Sequence, residues 1–371
     1  MKVLLFANTD WYLYNFRLSL ATALRERGDE VILCSPPGRY VSLIQEAGFH
    51  WQSFSLDRGG MNPLNELVTI WRLTRLFKKI NPRVVHLFTI KPVLYGSIAA
   101  KLAGVPSAIN AVTGLGHVFV DKKISTRILL AIVKILYRFG LKNTTVIFQN
   151  QDDRDLFIKM GMVEPGQTHM IPGSGVNLER FMLLPEPDGI PVVVLPGRLL
   201  KSKGVEEFVG SAQQIKKTGL LARFVLVGDT DFNNPASVLP SDLEAWQKEG
   251  SIEWWGWRDD MPIVFAQSNI ICLPSYREGL SFVLLEAAAS GRALVATDVP
   301  GCRDIVHHNE NGLLVTAQNI PELTSALTTL IKQPDLRKKM ALRGREIVEE
   351  NYPVQIIVDK TLSLYPNNED I

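Results

Sequence analysis

The chain predicts an α/β protein made of two doubly wound parallel sheets, and three observations carry that expectation. Short apolar runs alternate with helical periodicity along the whole length, the pattern of parallel strands covered by helices on both faces. There are 371 residues, 46% of them hydrophobic, which is more than one core usually accommodates. The charge is also unevenly spread: residues 1–183 hold 22 Lys and Arg against 13 Asp and Glu, and the remainder holds 18 against 25. A basic half joined to an acidic half implies two units with different partners.

In the first half, strands are expected at Val3–Phe6, Glu30–Cys34, Val84–Phe88, Ser107–Ala111 and Thr145–Phe148. Between them, Phe16–Arg27 and Leu64–Lys79 are apolar at three-and-four spacing and read as helices. Residues 182–191 include three prolines and read as a linker. The alternation then restarts with strands at Val192–Leu195, Arg223–Val227, Ile270–Leu273 and Ala293–Thr297, and helices at Val205–Lys217 and Phe282–Ser290. The expected domains are therefore 1–183 and 184–352, with 353–371 forming a helix that packs back on the first. Two such sheets would face each other across a cleft at their carboxyl ends, where α/β folds take ligands.

Cys34, Cys272 and Cys302 form no CxxC pair, so neither a disulfide framework nor a thiolate metal site is expected. The first residues read as a strand rather than a leader, and no run is long enough to span a membrane. A cytoplasmic protein is the expectation.

Two stretches carry the chemistry. Gly197, Arg198, Lys203 and Gly204 follow the strand Val192–Leu195. Arginine grips phosphate oxygens in pairs, and lysine adds a mobile point charge. Alone, this would equally describe a solvated loop. The second stretch runs from Glu278 through Gly279, Leu280 and Ser281 to Glu286. Ser281 is a natural N-cap, and the free N–H groups of the helix it opens suit a diphosphate. Glu286 lies among Leu284, Leu285 and Ala287, and a carboxylate so placed needs a partner. A ribose diol or a structural arginine would serve. Cations for a diphosphate and carboxylates for hydroxyls together describe a nucleotide-sugar site.

Arg-x4-Lys followed by Glu-x7-Glu resembles the retaining glycosyltransferases of family 4, with the GT-B fold of two Rossmann-like domains. Pro300–Val306 and Asn311–Val315 resemble that family's next segments in the same order. The resemblance implies that Arg198 and Lys203 bind the donor diphosphate, with Gly197, Gly279, Leu280 and Ser281 around them. It assigns Glu278 to the donor sugar and Glu286 to the ribose. Asn15-Phe16-Arg17, His86–Pro92, Tyr95-Gly96-Ser97, Thr113–Gly116 and Ile171–Asn177 are similar to members that add an N-acetylhexosamine to a polyprenyl-diphosphate-linked sugar. On that basis Asn15, Arg17 and Lys91 are expected to meet the acceptor. The first loop, Asn8 to Tyr14, lacks the family's glycine pair.

Several other features have competing readings. The resemblance puts a histidine near His117 against the donor sugar, although an ordinary loop histidine would look the same. His86, at a strand end, reads as structural. Gly114-Leu115-Gly116 lacks the third glycine of a dinucleotide fingerprint. Asp229-Thr230-Asp231 matches a metal-binding DxD but reads as a loop. Trp254, Trp255 and Trp257 are expected to pack in the core rather than stack a base. Residues 122–142 hold six basic residues and no acidic one, with Lys123, Arg127, Lys134 and Arg138 on one side of a helix. That side is expected to meet an anionic membrane. The apolar side (Ile124, Ile128, Ile132, Ile135, Leu136, Phe139) is expected to pack on the sheet.

The expected activity is metal-independent, retaining transfer of an N-acetylhexosamine, GalNAc or GlcNAc, from a UDP-sugar to a polyprenyl-diphosphate-linked saccharide in surface-glycan assembly. No cofactor, metal or nucleic acid is expected, and the protein would sit peripherally on the inner face of the plasma membrane. The alternatives are a nucleotide-sugar 2-epimerase of the same fold and, in another class, an NAD-dependent oxidoreductase.

Overall fold

The computed structural model describes the chain apart from residues 58–61, 116–123, 232–233, 235 and 367–371, and describes only the backbone of 124–128. His117 and Lys123 thus lie outside the described residues, as does the side chain of Arg127. The chain divides into two compact units, one of Met1–Ser174 with Gln355–Ile371 and the other of Gly175–Val354.

The first unit runs β1 (Lys2–Phe6), α1 (Asp10–Glu26), β2 (Glu30–Ser35), α2 (Val41–Glu46), β3 (His50–Ser53), α3 (Pro63–Ile80), β4 (Val84–Phe88), α4 (Ile90–Ala103), β5 (Ser107–Val112), α5 (Ile124–Leu141), β6 (Thr145–Phe148), α6 (Gln151–Lys159) and β7 (Thr168–Met170). Its strands form one parallel sheet in the order β3-β2-β1-β4-β5-β6-β7. The inner strands are apolar nearly throughout because helices cover both faces, while the edge strands β3 and β7 are polar. Leu4, Phe6, Val85, Leu87 and Phe148 join Leu73 and Phe77 of α3 in one core.

The second unit runs β8 (Val192–Pro196), α7 (Val205–Lys217), β9 (Arg223–Val227), α8 (Pro240–Lys248), β10 (Glu253–Trp254), α9 (Met261–Ala266), β11 (Ile270–Leu273), α10 (Phe282–Ala289), β12 (Ala293–Thr297), β13 (Gly312–Val315), α11 (Ile320–Lys332) and α12 (Pro334–Asn351). Its parallel order is β10-β9-β8-β11-β12-β13. A last helix, α13 (Val354–Leu362), leads into the segment belonging to the first unit. There Tyr365 is buried, and its hydroxyl lies 2.7 Å from His86 Nδ1.

Some expectations change. Asn8 to Tyr14 is mostly helix, because Thr9 Oγ1 accepts from Tyr12 N at 3.1 Å and starts α1 at Asp10; a capped start leaves no loop to fill with glycines. The proline-rich stretch is largely exposed, as a linker would be, but it is anchored to the second unit at Pro185 and Glu186. The Glu186 carboxylate is 7% exposed and pairs with Arg337 at 2.8 Å, while Arg292, fully buried, donates to the Pro185 carbonyl at 3.1 Å. Residues 175–183 join that unit too, tied by the Val176–Pro353 bridge. On α5 the buried side is Tyr137, Gly140 and Leu141; Leu136 packs against the core as expected, whereas Ile132, Ile135 and Phe139 are exposed. Trp254 and Trp257 are likewise exposed rather than core, and Trp255 is partly buried.

Candidate functional site

In the second unit the strand order reverses between β8 and β11, which are hydrogen-bonded neighbours followed in sequence by different helices. Loops leaving such a switch point diverge and open a crevice beyond the carboxyl ends of the strands. Here they are Gly197–Gly204 and Pro274–Ser281. Two motifs separated by over seventy residues meet for this topological reason.

The two loops are joined closely. Tyr276 N donates to the Ser202 carbonyl at 2.9 Å, and Tyr276 Oη to Glu207 Oε1 at 2.7 Å. Gly204, at φ 74°, turns the chain into α7, and a Cβ there would collide with the Pro274 carbonyl. Gly197, at φ 148°, lies so close to Gly228 that a side chain on the latter would strike the Gly197 carbonyl. Gly204 and Gly228 need glycine because backbones touch there.

The side chains of Lys203 and Glu278 meet at the centre of this junction, with Nζ 2.5 Å from Oε1 and both largely shielded. Arg198 is more open, 60% exposed, and its Nη1 is 4.0 Å from Asp231 Oδ2, a weak pairing that leaves the guanidinium accessible. Glu278 N donates to the Pro300 carbonyl at 3.2 Å and Ser281 N to the Gly301 carbonyl at 3.1 Å, so the Pro300–Gly301 turn supports the glutamate from behind. Ser281 caps α10 as expected, accepting from Leu284 N at 3.4 Å. Leu280 is buried beside it.

Gly301→Ala tests that support. At φ 79° the new Cβ would lie 2.7 Å from the Glu278 backbone. Left-handed backbone alone costs an alanine roughly 1–2 kcal/mol. The urea midpoint should fall measurably, and any binding that uses Glu278 should weaken with it.

Glu286 lies one turn into α10, partly buried among apolar neighbours. Burial pushes its carboxyl up to about 7, with the Arg180 guanidinium pulling the other way. Arg180 was not singled out from the sequence. It sits in a turn where Asn177 Oδ1 accepts from the Arg180 N–H at 2.9 Å, and its guanidinium reaches the Asp259 carbonyl at 3.4 Å. The only sequence signal was that Ile171–Asn177 leads into it. In the Asp229–Asp231 segment, Asp231 faces Arg198.

In the first unit the expected acceptor residues are engaged locally. Arg17 is 4% exposed, donates to Tyr12 Oη at 2.6 Å and to the Gly173 carbonyl at 3.4 Å, and stacks on Phe88 at 4.5 Å. Asn15 Nδ2 donates to the Trp11 carbonyl at 3.0 Å. Lys91 Nζ pairs with Glu66 at 2.7 Å and with the Asp57 carbonyl at 2.6 Å. His86 is buried against Tyr365, and burial, then the Arg17 charge, holds its pKa well below the usual range. It is a neutral structural histidine. Thr89, at φ 71° and ψ 168°, is a backbone outlier where β4 meets α4, a position the sequence did not flag.

Comparison with known proteins agrees with this arrangement. Residues 190–333 match the family model for glycosyl transferases group 1, and residues 2–151 match that for glycosyl transferase 4-like proteins. The chain is 28% identical over 367 residues, 95% of each protein, to an N,N'-diacetylbacillosaminyl-diphospho-undecaprenol alpha-1,3-N-acetylgalactosaminyltransferase of Campylobacter jejuni. It is 27% identical to a UDP-Gal:alpha-D-GlcNAc-diphosphoundecaprenol alpha-1,3-galactosyltransferase of Escherichia coli, covering 92% of this chain and 89% of that one. Among solved structures, Anabaena HepE in complex with UDP and glucose superposes with a TM-score of 0.79 at 19% identity, covering 98% of both chains. The sucrose-phosphate synthase of Thermosynechococcus elongatus gives the same score, identity and coverage. Those structural likenesses establish the GT-B fold. With both of its units matched and its two signature loops brought together at one switch point, the chain belongs to the group 1, family 4-like glycosyltransferases.

Proposed function

We propose that this protein transfers an N-acetylhexosamine from a UDP-sugar to a polyprenyl-diphosphate-linked saccharide, with retention of configuration and without a metal. The observation that carries the reading is the Lys203–Glu278 junction beside the Ser281-capped start of α10. The relatives support the substrate classes, since the Campylobacter and Escherichia enzymes are named for undecaprenyl-diphosphate-linked acceptors.

In this scheme the donor diphosphate lies against Arg198, Lys203 and the N–H groups of α10. The bond from the anomeric carbon to the diphosphate oxygen breaks, and negative charge grows where those cations and dipoles are already fixed. The acceptor hydroxyl attacks from the side the diphosphate leaves, and its proton passes to a phosphate oxygen. Glu278 holds the sugar and Glu286 the ribose. Lys203 and Arg198 supply the charge compensation, so transfer should persist in excess EDTA. Loss of activity that a divalent cation restores would count against the metal-free scheme.

Glu286 gives the site a pH dependence. Its carboxyl is mostly protonated below about 7 in the free protein, while ribose hydroxyls donating to it favour the ionised form. Binding therefore releases a proton in that range, and UDP-sugar affinity should rise with pH through about 7, by at most about tenfold per pH unit. Titration calorimetry at pH 6 and 8 reads this directly, and Glu286→Gln should flatten the dependence.

Among the described residues no helix is long and apolar enough to cross a membrane. Lys134, partly exposed, and Arg138, exposed, are proposed to draw the first unit to the anionic inner face of the plasma membrane. The test of the whole reading is a transfer assay with a panel of UDP-sugars and a synthetic polyprenyl-diphosphate saccharide, with products read by mass spectrometry. An acceptor one N-acetylhexosamine heavier is expected, and acceptor that never gains mass would refute the reading.

A further inference from the structure

We propose that α3 is a lipid-facing helix whose outer side inserts shallowly into an anionic bilayer; this rests on the reading that the acceptor is lipid-borne. Leu64, Leu67, Val68 and Trp71 are 72%, 63%, 52% and 54% exposed. At 100° per residue they fall within about 100° of one another on the helix surface. Leu73 and Phe77, on the other side, are buried, and Ile70, Leu76 and Ile80 pack against the core around them. An isolated exposed leucine is ordinary, but four large apolar side chains in one contiguous row are not.

Charge identifies the occupant. Arg72, Arg75, Lys78 and Lys79 continue the same outer side toward the end of the helix. The Arg75 guanidinium stacks on the Trp71 ring at 4.1 Å, an amphipathic pair suited to the headgroup layer. Glu66 is the sole acidic residue of α3, and it is consumed by Lys91. The neighbouring layer has the same character. α4 packs against both α3 and α5, Leu102 is 54% exposed, and Ile132, Ile135 and Phe139 of α5 are exposed as well. Together these three helices hold nine Lys and Arg against one Glu. An apolar row beside cations is the composition of an interfacial helix. A basic stripe alone, as read from α5, would attract a membrane without entering it.

The two modes differ in their response to salt. Flotation with phosphatidylglycerol/phosphatidylethanolamine vesicles should show strong binding at low salt and a retained fraction at roughly 0.5 M NaCl, where exposed charges are largely screened. The double variant Leu67→Glu/Trp71→Glu should lower partitioning about tenfold or more at both salt levels, because it removes apolar insertion. Lys78→Glu/Lys79→Glu should act mainly at low salt. Leu67→Ser/Trp71→Ser repeats the first loss without added charge. Transfer to a water-soluble short-chain acceptor should be unchanged in all three variants, which shows they are folded and separates this inference from the catalytic reading. Wild-type-like flotation of both Leu67/Trp71 variants would overturn the proposal. So would lipid-free dimerisation that those variants abolish, since the row would then serve a second copy of this chain.

Discussion

Lys203→Gln is expected to lower the rate of sugar transfer by about a hundred- to a thousandfold, the cost of removing one preorganised donor from a developing oxyanion. The substitution isolates charge from structure. A glutamine amide still donates to Glu278, which Lys203 now holds at 2.5 Å, so the two loops remain joined by that contact and by the Tyr276–Ser202 bond. The lost element is the positive charge on a side chain that is mostly shielded from water, where screening is weak and a charge acts strongly. Single-turnover kinetics at saturating donor should show the loss in the chemical step, with a melting temperature close to that of the wild type. A variant that turns over near the normal rate would remove Lys203 from the charge-stabilising role.

Glu278→Gln has the next largest expected effect, of a different kind. A hydrogen bond from a sugar hydroxyl to a carboxylate contributes roughly 1.5–3 kcal/mol, so kcat/KM should fall about tenfold to a hundredfold. UDP alone, which lacks the sugar, should bind at least as well as before, because Lys203 loses a competing anion. Calorimetry with UDP and with the UDP-sugar separates the two. Equal weakening of both ligands would mean that Glu278 organises the diphosphate loop rather than the sugar.

Much of this site was legible in the sequence because its parts are local. A strand followed by Gly197–Gly204, and a loop ending in a serine cap, can be recognised without tertiary knowledge. The pairing of Lys203 with Glu278 was not legible, since it depends on β8 and β11 being neighbours across a strand-order reversal. Arg180 escaped for a similar reason: nothing in its own neighbourhood points to Glu286. The main strands and helices were readable from apolar periodicity, while short edge strands such as β3, β7 and β10 carry too few residues to show it. Residues 182–191 are largely exposed, as a linker would be, yet two of their groups are held by buried arginines. The Glu186–Arg337 pair and the buried Arg292 anchor the stretch to the second unit, contacts between residues too distant in sequence for a local pattern to show. The α5 periodicity gave an apolar side but not its direction, and the structure turns Ile132, Ile135 and Phe139 outward.

The most direct test of the central claim is the anomeric configuration of the product. Proton NMR of the disaccharide linkage formed from an α-linked UDP-N-acetylhexosamine and a polyprenyl-diphosphate saccharide should show an α linkage, with UDP released only when acceptor is present. A β linkage, or conversion of the UDP-sugar in the absence of acceptor, would contradict the account.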